Sequence, residues 1–233
     1  MLYYYAPALL ILGIGILYAL AAKKLTVPAA VTGALIGLVI FIATGYTGLV
    51  MMTTFFILGT AATSWKAGFK RGLGLAEENK GRRTAGQVFA NAGLAGLLAV
   101  AILVDSERSA LYSLLIAAVF SAATADTLSS ELGNVYGRRY FNVITFKKDE
   151  RGLDGVVSIE GTLIGVAGSL LIALLYSVGV SSEQSWIIVV AGTMGNLCDS
   201  VLGATLERKK VLQNNAVNFL NTLAAAVVAG LLK

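Results

Sequence analysis

The chain has 233 residues, of which 57% are hydrophobic and only 13% charged, and its formal net charge is +5. A water-soluble domain carries about a quarter charged residues, so this composition excludes a soluble globule and indicates a protein embedded in lipid. With one cysteine, Cys198, and no histidine, an intrachain disulfide, a histidine or cysteine zinc site and histidine acid–base catalysis are excluded.

Eight apolar runs follow one another along the chain, each close to the roughly 20 residues that a membrane-spanning helix needs. They cover residues 2–21, 27–44, 47–64, 87–104, 109–127, 157–178, 186–205 and 216–232. The first run lacks a basic leader and resembles the later ones, so we interpret it as a span and not as a signal peptide. We expect an all-α integral membrane protein, a polytopic bundle of about eight transmembrane helices that forms a single domain over residues 1–233.

Lysine and arginine are distributed unequally between alternate loops. One set of loops holds 16 of the 18 basic residues, whereas the opposite set holds only Arg108 and Lys233. Because cytoplasmic loops carry the excess of basic residues, we expect a protein of the cell membrane with its N-terminus outside and its basic loops in the cytoplasm. Such a surface suits membrane lipid headgroups or an anionic substrate, and nothing in the sequence indicates a nucleic-acid partner.

Two loops on the basic side are long, at residues 65–86 and 128–156, which suggests that function lies there. In the second loop, residues 140–146 are rich in aromatic and β-branched side chains, a turn-like run follows at 147–155, and residues 156–159 are mostly apolar. This pattern predicts a small cytoplasmic β-hairpin between helices five and six.

Polar residues within the predicted spans gather at one depth, near the basic ends of the helices. Three of them are carboxylates: Asp126 and Glu131 at the end of helix five, and Asp199 in helix seven. Neighbouring carboxylates repel unless they share a proton or a cation, and carboxylate, hydroxyl and amide oxygens suit Mg²⁺. Magnesium implies phosphates, although the chain has no G-x-x-x-x-G-K-[ST] loop. The basic residues available to hold phosphate oxygens are Arg82, Arg83, Lys147 and Lys148.

Amide and hydroxyl side chains at the same depth complete the candidate site. They are Gln87, Asn91, Ser158, Asn196 and Asn218. Structural roles stay open: carboxylates and asparagines can join helices, basic residues can act only as topology signals, and Glu160 can be a ligand or a helix cap. The pairs Gly33–Gly37 and Gly161–Gly165 have the G-x-x-x-G spacing that predicts close helix packing.

Five segments resemble, in order, the motifs of the membrane family known as domain of unknown function ninety-two. The segment A-D-T-L-S-S-E-L-G at residues 125–133 is similar to the family's A-D-T-W-A-S-E-[IL]-G. The others are residues 80–91, similar to R-R-x-x-x-Q-V-x-A-N, residues 152–162, similar to G-T-x-G-G-V-S-x-x-G-T, residues 199–204, similar to D-S-x-L-G-A, and residues 215–221, similar to a V-N segment. Leu128, Leu153 and Val156 depart from these patterns, but no carboxylate is lost.

The best-understood members of that family are plant phytyl-phosphate kinases. The resemblance therefore implies Mg²⁺-dependent phosphorylation of an isoprenyl monophosphate, such as phytyl or geranylgeranyl phosphate, with CTP or a related nucleotide as donor. It implies that Asp126, Glu131 and Asp199 hold the Mg²⁺. It further implies phosphate binding by Arg82, Arg83, Lys147 and Lys148, and orientation of the phosphates by Asn91, Asn196 and Asn218.

Other functions stay open at this stage. In a secondary transporter, Asp126 and Asp199 would carry protons or cations, and the similar settings of the two residues fit a repeat architecture. Against this, the outer halves of the helices are apolar and offer no polar path. A cytidylyltransferase acting on a phospholipid would use a similar site but release pyrophosphate. A scaffold would not explain the polar segments, and a homodimer is compatible with the sequence.

Overall fold

The computed structural model describes residues 2–75 and 81–233, so Lys80 of the first motif lies outside the described residues. Its helices are α1 (Leu2–Ala21), α2 (Val27–Ser64), α3 (Ala67–Gly72), α4 (Ala85–Val104), α5 (Ser109–Tyr136), α6 (Ile159–Gly179), α7 (Ser185–Leu202) and α8 (Asn214–Leu232). Two strands, β1 (Phe141–Asn142) and β2 (Val156–Val157), lie between α5 and α6. A 3₁₀ turn, Ser106–Arg108, precedes α5, and a π-helical turn, Gly203–Glu207, extends α7.

Seven of the described helices, all except α3, are long and apolar enough to cross a membrane. Many of their large apolar side chains are exposed, among them Leu10, Leu35, Leu97 and Leu174. Exposed leucine along whole helices is expected where the surrounding solvent is lipid, and helices satisfy their own backbone hydrogen bonds there. The prediction of an all-α integral membrane fold is confirmed.

Helix α2 folds back on itself at Gly45. Its 38 residues would span about 57 Å at 1.5 Å per residue, roughly twice the hydrocarbon thickness of a bilayer. At Gly45 the backbone takes φ 64° and ψ −150°, a conformation open almost only to glycine. The two ends of α2 consequently meet, and Lys24 Nζ, just before the helix, donates to Ser64 Oγ at 2.7 Å. Two antiparallel arms, residues 27–44 and 46–64, result, so the described helices make the eight crossings that the sequence predicts.

Helix α5 lies at the centre of the bundle. It contacts α2, α4, α6, α7 and α8, and 67% of its span is buried, against at most 39% for any other described span. Its contact with α6 is backbone to backbone: a Cβ on Gly161 would stand 2.7 Å from the Ser129 carbonyl oxygen, and a Cβ on Gly165 would stand 3.0 Å from that of Ala125. The predicted packing role of Gly161 and Gly165 is confirmed.

Helix α5 is also longer than predicted, because it ends at Tyr136 and not at residue 127. No residue in the polar run after Asp126 breaks a helix, and Gly133 stays helical while its Cα packs on Gly161 of α6. The helix thus continues about 15 Å beyond Asp126. Asp126 therefore lies well inside the end of the helix, and Glu131 is helical and not part of an aqueous loop.

The predicted hairpin exists, but its strands are short. β1 and β2 pair antiparallel, with Phe141 opposite Val157 and Asn142 opposite Val156. The chain leaves β1 early because Asn142 Oδ1 accepts hydrogen bonds from the backbone N–H groups of Ile144 and Thr145, both at 3.0 Å. Such an asparagine turn competes with continued strand pairing. We refer to residues 141–157 as the hairpin, and to the end of the bundle that carries it as the basic end.

Candidate active site

Asp126 of α5 and Asp199 of α7 lie side by side at the basic end, with their carboxyl groups within hydrogen-bonding reach of each other. Both side chains are partly accessible, whereas Asp199 Oδ1 is buried and makes no hydrogen bond to any described residue. Two carboxylates at this separation repel unless they share a proton or a cation. The pair is therefore suited to hold a cation or a shared proton.

Glu131, the third predicted ligand, is bound elsewhere. Its carboxylate forms a close ion pair with Lys70 of α3, whose side chain is only 2% exposed. Lys70 Nζ also donates to the carbonyl oxygens of Ala62 at 3.0 Å and Thr63 at 2.9 Å, at the C-terminal end of α2. A cation is favourable where a helix ends in unpaired carbonyl groups. The pair joins α2, α3 and α5.

Metal binding depends on how many carboxylates converge. Within residues 2–75 and 81–233, no three aspartate, glutamate, histidine or cysteine side chains are close enough together to hold a metal ion. Mg²⁺, however, is commonly held by one or two carboxylates together with substrate phosphates. Asp126 and Asp199 fit such a site, and the unpaired Asp199 oxygen is an available ligand atom. A role for Glu131 as a ligand stays a prediction.

Arg83 lies near the carboxylate pair. Its charge acts on Asp126, its guanidinium lies 5.7 Å from the ring centroid of Phe55, and it packs on Gly59 of α2. A Cβ at Gly59 would stand 2.8 Å from an Arg83 Nη atom, so a larger residue there would displace the guanidinium. The site thus combines two carboxylates with a positive charge that could bind a phosphate.

The backbone beside Arg83 is fixed by the linker between α1 and α2. Arg83 N–H donates to Lys24 O at 2.9 Å, Thr26 N–H donates to Arg83 O at 3.0 Å, and Arg82 Nε donates to Leu25 O at 2.9 Å. Because of these bonds, the two arginine side chains occupy different surroundings. Arg82 anchors the linker, and Arg83 is presented to the interior.

Two asparagines extend the site along α7 and α8. Asn196 is buried one turn from Asp199, and its Oδ1 accepts a hydrogen bond from Ser129 Oγ of α5 at 3.0 Å. Asn221 of α8 is fully buried next to the Asp199 carboxyl, and neither its Oδ1 nor its Nδ2 makes a hydrogen bond of normal geometry to a described residue. Buried polar groups without partners are uncommon and are expected at sites that bind something.

Several predicted ligands have structural contacts in the fold. Gln87 forms a capping box with Thr84 at the start of α4, where Gln87 Oε1 accepts from Thr84 N–H at 2.8 Å. Ser158 caps α6 by accepting from Gly161 N–H at 3.1 Å. Asn218 Nδ2 donates to Asn214 Oδ1 at 3.2 Å. These contacts leave the predicted phosphate-binding roles untested.

Asn91 and Glu160 also have defined positions. Asn91 Nδ2 donates to the Gln87 carbonyl oxygen at 3.0 Å, while its Oδ1 is buried and has no partner among the described residues. Glu160, in the first turn of α6, accepts from Arg138 N–H at 3.3 Å. The carboxylate of Glu160 thus contacts the backbone that follows α5, whereas Asn91 retains an acceptor for a ligand.

The hairpin is attached to the end of α7. Gly155 has φ +71° and packs so closely on the π-helical turn that a Cβ would stand 2.3 Å from Ala204 N. Arg208 donates to Asp154 O at 2.6 Å and to Asp149 Oδ2 at 2.8 Å. The hydrogen bond from Arg208 lowers the pKa of Asp149. Lys147 and Lys148 lie in the hairpin with exposed side chains, where they add positive charge to the surface above the bundle.

Four residues near the site were not among the predicted ligands. Lys70 is in a short helix of a long loop, where hydropathy gives no signal. Ser129 lies in the A-D-T-L-S-S-E segment, and Asn221 lies in the polar stripe of α8, so the sequence could have indicated both as site residues. Glu207, whose charge acts on both aspartates, is the last residue of the π-helical turn. Such turns occur frequently at functional sites.

The fold and the site define a polytopic membrane protein with an acidic pair and an arginine inside its basic end. The chain belongs to the family described as integral membrane protein DUF92, whose model matches residues 10–226. The resemblance seen in the five motifs is confirmed.

Individual relatives come from distant organisms. An uncharacterized membrane protein of Synechocystis is 37% identical over 91% of this chain and 84% of its own length. An uncharacterized membrane protein of Methanocaldococcus jannaschii is 33% identical over 85% of this chain and 81% of its own length. The chloroplastic protein VTE6 of Arabidopsis thaliana is 32% identical over 85% of this chain, which spans 62% of that protein. No solved structure matches the chain.

Proposed function

We propose that this protein is a membrane-embedded kinase that transfers the γ-phosphoryl group of CTP, or of another nucleoside triphosphate, to an isoprenyl monophosphate such as phytyl or geranylgeranyl phosphate. The observation that carries the proposal is the apposition of Asp126 and Asp199 with Arg83 beside them. The resemblance of the motifs to a family that includes plant phytyl-phosphate kinases supports the same reaction class. The basic loops favour a site that opens to the cytoplasm of the cell, with the N-terminus outside.

Asp126 and Asp199 are the residues that would hold Mg²⁺, because Mg²⁺ needs only one or two protein carboxylates when phosphates supply other ligands. When bound, the ion would neutralise charge on the donor phosphates. Asn196 and Asn221 border the pair from α7 and α8. Their amides would orient phosphate oxygens at the pair.

The reaction is an exchange at the γ-phosphorus. An oxygen of the acceptor monophosphate forms a new bond to the γ-phosphorus, the bond to the bridging oxygen breaks, and the nucleoside diphosphate leaves with that oxygen. The acceptor phosphate is already an anionic nucleophile, so no strong general base is required. Arg83 would bind the acceptor phosphate, while Lys147 and Lys148 attract the anionic nucleotide to the surface.

The half of the bundle away from the basic end argues against a transporter. There the described helices bury a continuous core of small and branched apolar residues, including Leu114, Ile116, Ala117, Ile187 and Ile188. Interiors packed in this way leave no room for a hydrated path. The polar site is therefore open from one end of the bundle.

The test is a transfer assay with the purified protein in detergent, using Mg²⁺, geranylgeranyl monophosphate and CTP labelled in either the γ or the α position, with ATP and UTP in parallel. We expect γ label, and no α label, in a prenyl diphosphate. A lipid product carrying α label, with release of pyrophosphate, would show a cytidylyltransferase. Absence of transfer from folded protein with every nucleotide would refute the kinase, and proton-coupled flux in liposomes would then support a transporter.

A further inference from the structure

An apolar groove runs beside the carboxylate site, between α1, both arms of α2 and the start of α4. Ile11, Ile16, Met52, Phe56 and Val88 contribute to its walls. The groove has a cavity volume of about 110 Å³ and is open along one side. An apolar groove beside a charged site suits a ligand with an apolar chain and a charged group.

The groove extends from the basic end towards the middle of the membrane. At the basic end it is bounded by Leu25 and Arg83, and along α1 it reaches Ile11. Ile11 is ten residues from the end of α1 at Ala21, a distance of about 15 Å, which is half of a hydrocarbon core of roughly 30 Å. The long axis of the groove therefore follows the direction of a lipid chain.

The groove is also accessible from the lipid. Helix α1 packs chiefly against α2, and only 11% of its span is buried. Its side chains form one wall, and Gly15 lies in that wall with no atom of the protein within 4 Å of where its Cβ would be. A hydrocarbon chain could thus enter sideways past α1 without leaving the membrane.

Arg83 borders both the groove and the carboxylate pair. Arg83 lines the groove together with Gln87 and Asn91, and its charge acts on Asp126. Asn91 Oδ1 is buried there without a partner among the described residues. A ligand with its apolar chain in the groove would therefore place an anionic head at Arg83, whose charge acts on Asp126.

We propose that this groove is the binding site for the hydrocarbon chain of the acceptor lipid monophosphate, with the phosphate on Arg83. The proposal rests on the proposed kinase function for the identity of the ligand. It accounts for the one feature that a carboxylate site alone leaves unexplained: how a molecule that is mostly hydrocarbon presents a single charged group at a defined place inside the bundle.

Two variants of α1 test whether the lipid chain binds in this groove. Gly15→Phe would fill the groove, because Gly15 lines it and has free space around it. Gly13→Phe adds the same side chain two residues away, at a position that also has no atom within 4 Å but does not line the groove. The second variant therefore controls for any general effect of a phenylalanine on α1.

The experiment is photo-crosslinking with a geranylgeranyl monophosphate that carries a diazirine near the end of its chain, without nucleotide, followed by peptide mapping. We expect crosslinks on α1, α2 or α4 that unlabelled geranylgeranyl monophosphate abolishes. Crosslinking should fall at least tenfold in Gly15→Phe and be unchanged in Gly13→Phe. In transfer assays, Gly15→Phe should raise KM for the long-chain acceptor and leave that for dimethylallyl monophosphate unchanged.

The outcomes distinguish this proposal from the kinase function. Competed crosslinks in the groove, without transfer from any nucleotide, would support the groove and refute the kinase. Transfer activity with equal crosslinking and equal KM in the two variants would refute the groove and leave the kinase standing. Crosslinks that phosphatidylglycerol removes as well as the prenyl phosphate does would overturn the proposal in favour of a groove for bulk lipid.

Discussion

The two halves of the bundle differ in how many of their buried polar side chains have hydrogen-bond partners. Away from the basic end, the Tyr176 hydroxyl, which belongs to a side chain only 1% exposed, bonds to Gln184 Oε1 at 3.3 Å. Ser169 Oγ, in the middle of α6, is buried without a partner among the described residues. Towards the basic end, Asn91, Asp199 and Asn221 bury side-chain atoms without hydrogen bonds to any described residue. A well-packed apolar half stabilises the bundle, while the other half retains polar groups whose unpaired atoms are costly unless a ligand binds them.

This difference is not one between a rigid end and a loose one. The basic end has strong structural contacts of its own: Lys70 with Glu131, Arg82 with the α1–α2 linker, and Gly155 on the π-helical turn. These contacts hold the elements around the site, and the unpaired atoms lie between them. Pre-organised polar groups of this kind are what a site for charged phosphates needs.

The largest expected effect comes from removing one partner of the anchoring ion pair. Lys70→Met would leave Glu131 charged and largely buried, which typically costs about 3–5 kcal/mol. We expect a loss of thermal stability in detergent, measured by unfolding monitored with tryptophan fluorescence. Adding Glu131→Leu to Lys70→Met should restore most of that loss, because replacing a buried ion pair by apolar residues is often nearly neutral. If the double variant were as unstable as the single one, the pair would not be the cause.

The next effect separates the two neighbouring arginines. Arg83→Lys should lower kcat/KM for transfer by about 10- to 100-fold, because lysine lacks the paired, coplanar N–H donors with which a guanidinium binds a phosphate. Arg82→Lys should change it less than about threefold, since Arg82 bonds to a backbone carbonyl of the linker. The measurement is initial rate against acceptor concentration. Equal losses in the two variants would contradict the assignment of Arg83 to the site.

Asn221→Leu tests whether unpaired polar atoms are retained for function. Leucine has a similar shape and removes two buried polar atoms that make no hydrogen bond of normal geometry to a described residue. We expect it to raise stability by about 1 kcal/mol, because an unsatisfied buried polar group costs about 1–3 kcal/mol, and to reduce transfer activity. Thermal unfolding and the transfer assay on the same preparation give both values. A variant that is destabilised and fully active would contradict the account.

The smallest expected effect comes from removing the hydrogen bond between Arg208 and Asp149, which stabilises the hairpin in a pH-dependent way. The hydrogen bond from Arg208 lowers the pKa of Asp149, so this contribution to hairpin stability is present above the unfolded value of about 3.9 and is lost as the pH falls through the lower, folded value. We expect amide hydrogen exchange of residues 141–157, corrected for intrinsic rates, to accelerate in Arg208→Ala at neutral pH. The rest of the bundle should be unchanged. Uniform acceleration across the chain would indicate a global effect.

Hydropathy and charge predicted most of the fold. Spans and their number follow from the length of apolar runs, and the break at Gly45 was predicted because a bilayer limits the length of each run. The end of α5 was predicted wrongly, because the low hydropathy of polar residues such as Ser129 and Glu131 is typical of a loop. In the fold they face neighbouring helices, where Ser129 bonds to Asn196 and Glu131 pairs with Lys70.

The site was predicted to the level of helix faces. Asp126 and Asp199 were expected to be close because both lie near the basic ends of inward-running helices, and a buried carboxylate is costly without a partner. Asn218 and Asn221 lie on the same polar stripe of α8, so the sequence could not show which of them faces Asp199. That depends on the rotation of α8 about its axis. The position of the groove had no sequence signal, because it depends on how loosely α1 packs on α2.

The most direct test of the central claim is the rate of phosphoryl transfer in Asp199→Asn compared with Asp105→Asn, an aspartate at the end of the bundle away from the site. The account predicts that Asp199→Asn folds and loses at least about a thousandfold in rate, because the metal proposed at the pair would supply several kcal/mol of stabilisation to the transition state. Asp105→Asn should retain the wild-type rate. Similar rates in both variants would contradict the claim that the Asp126 and Asp199 pair is the reactive centre.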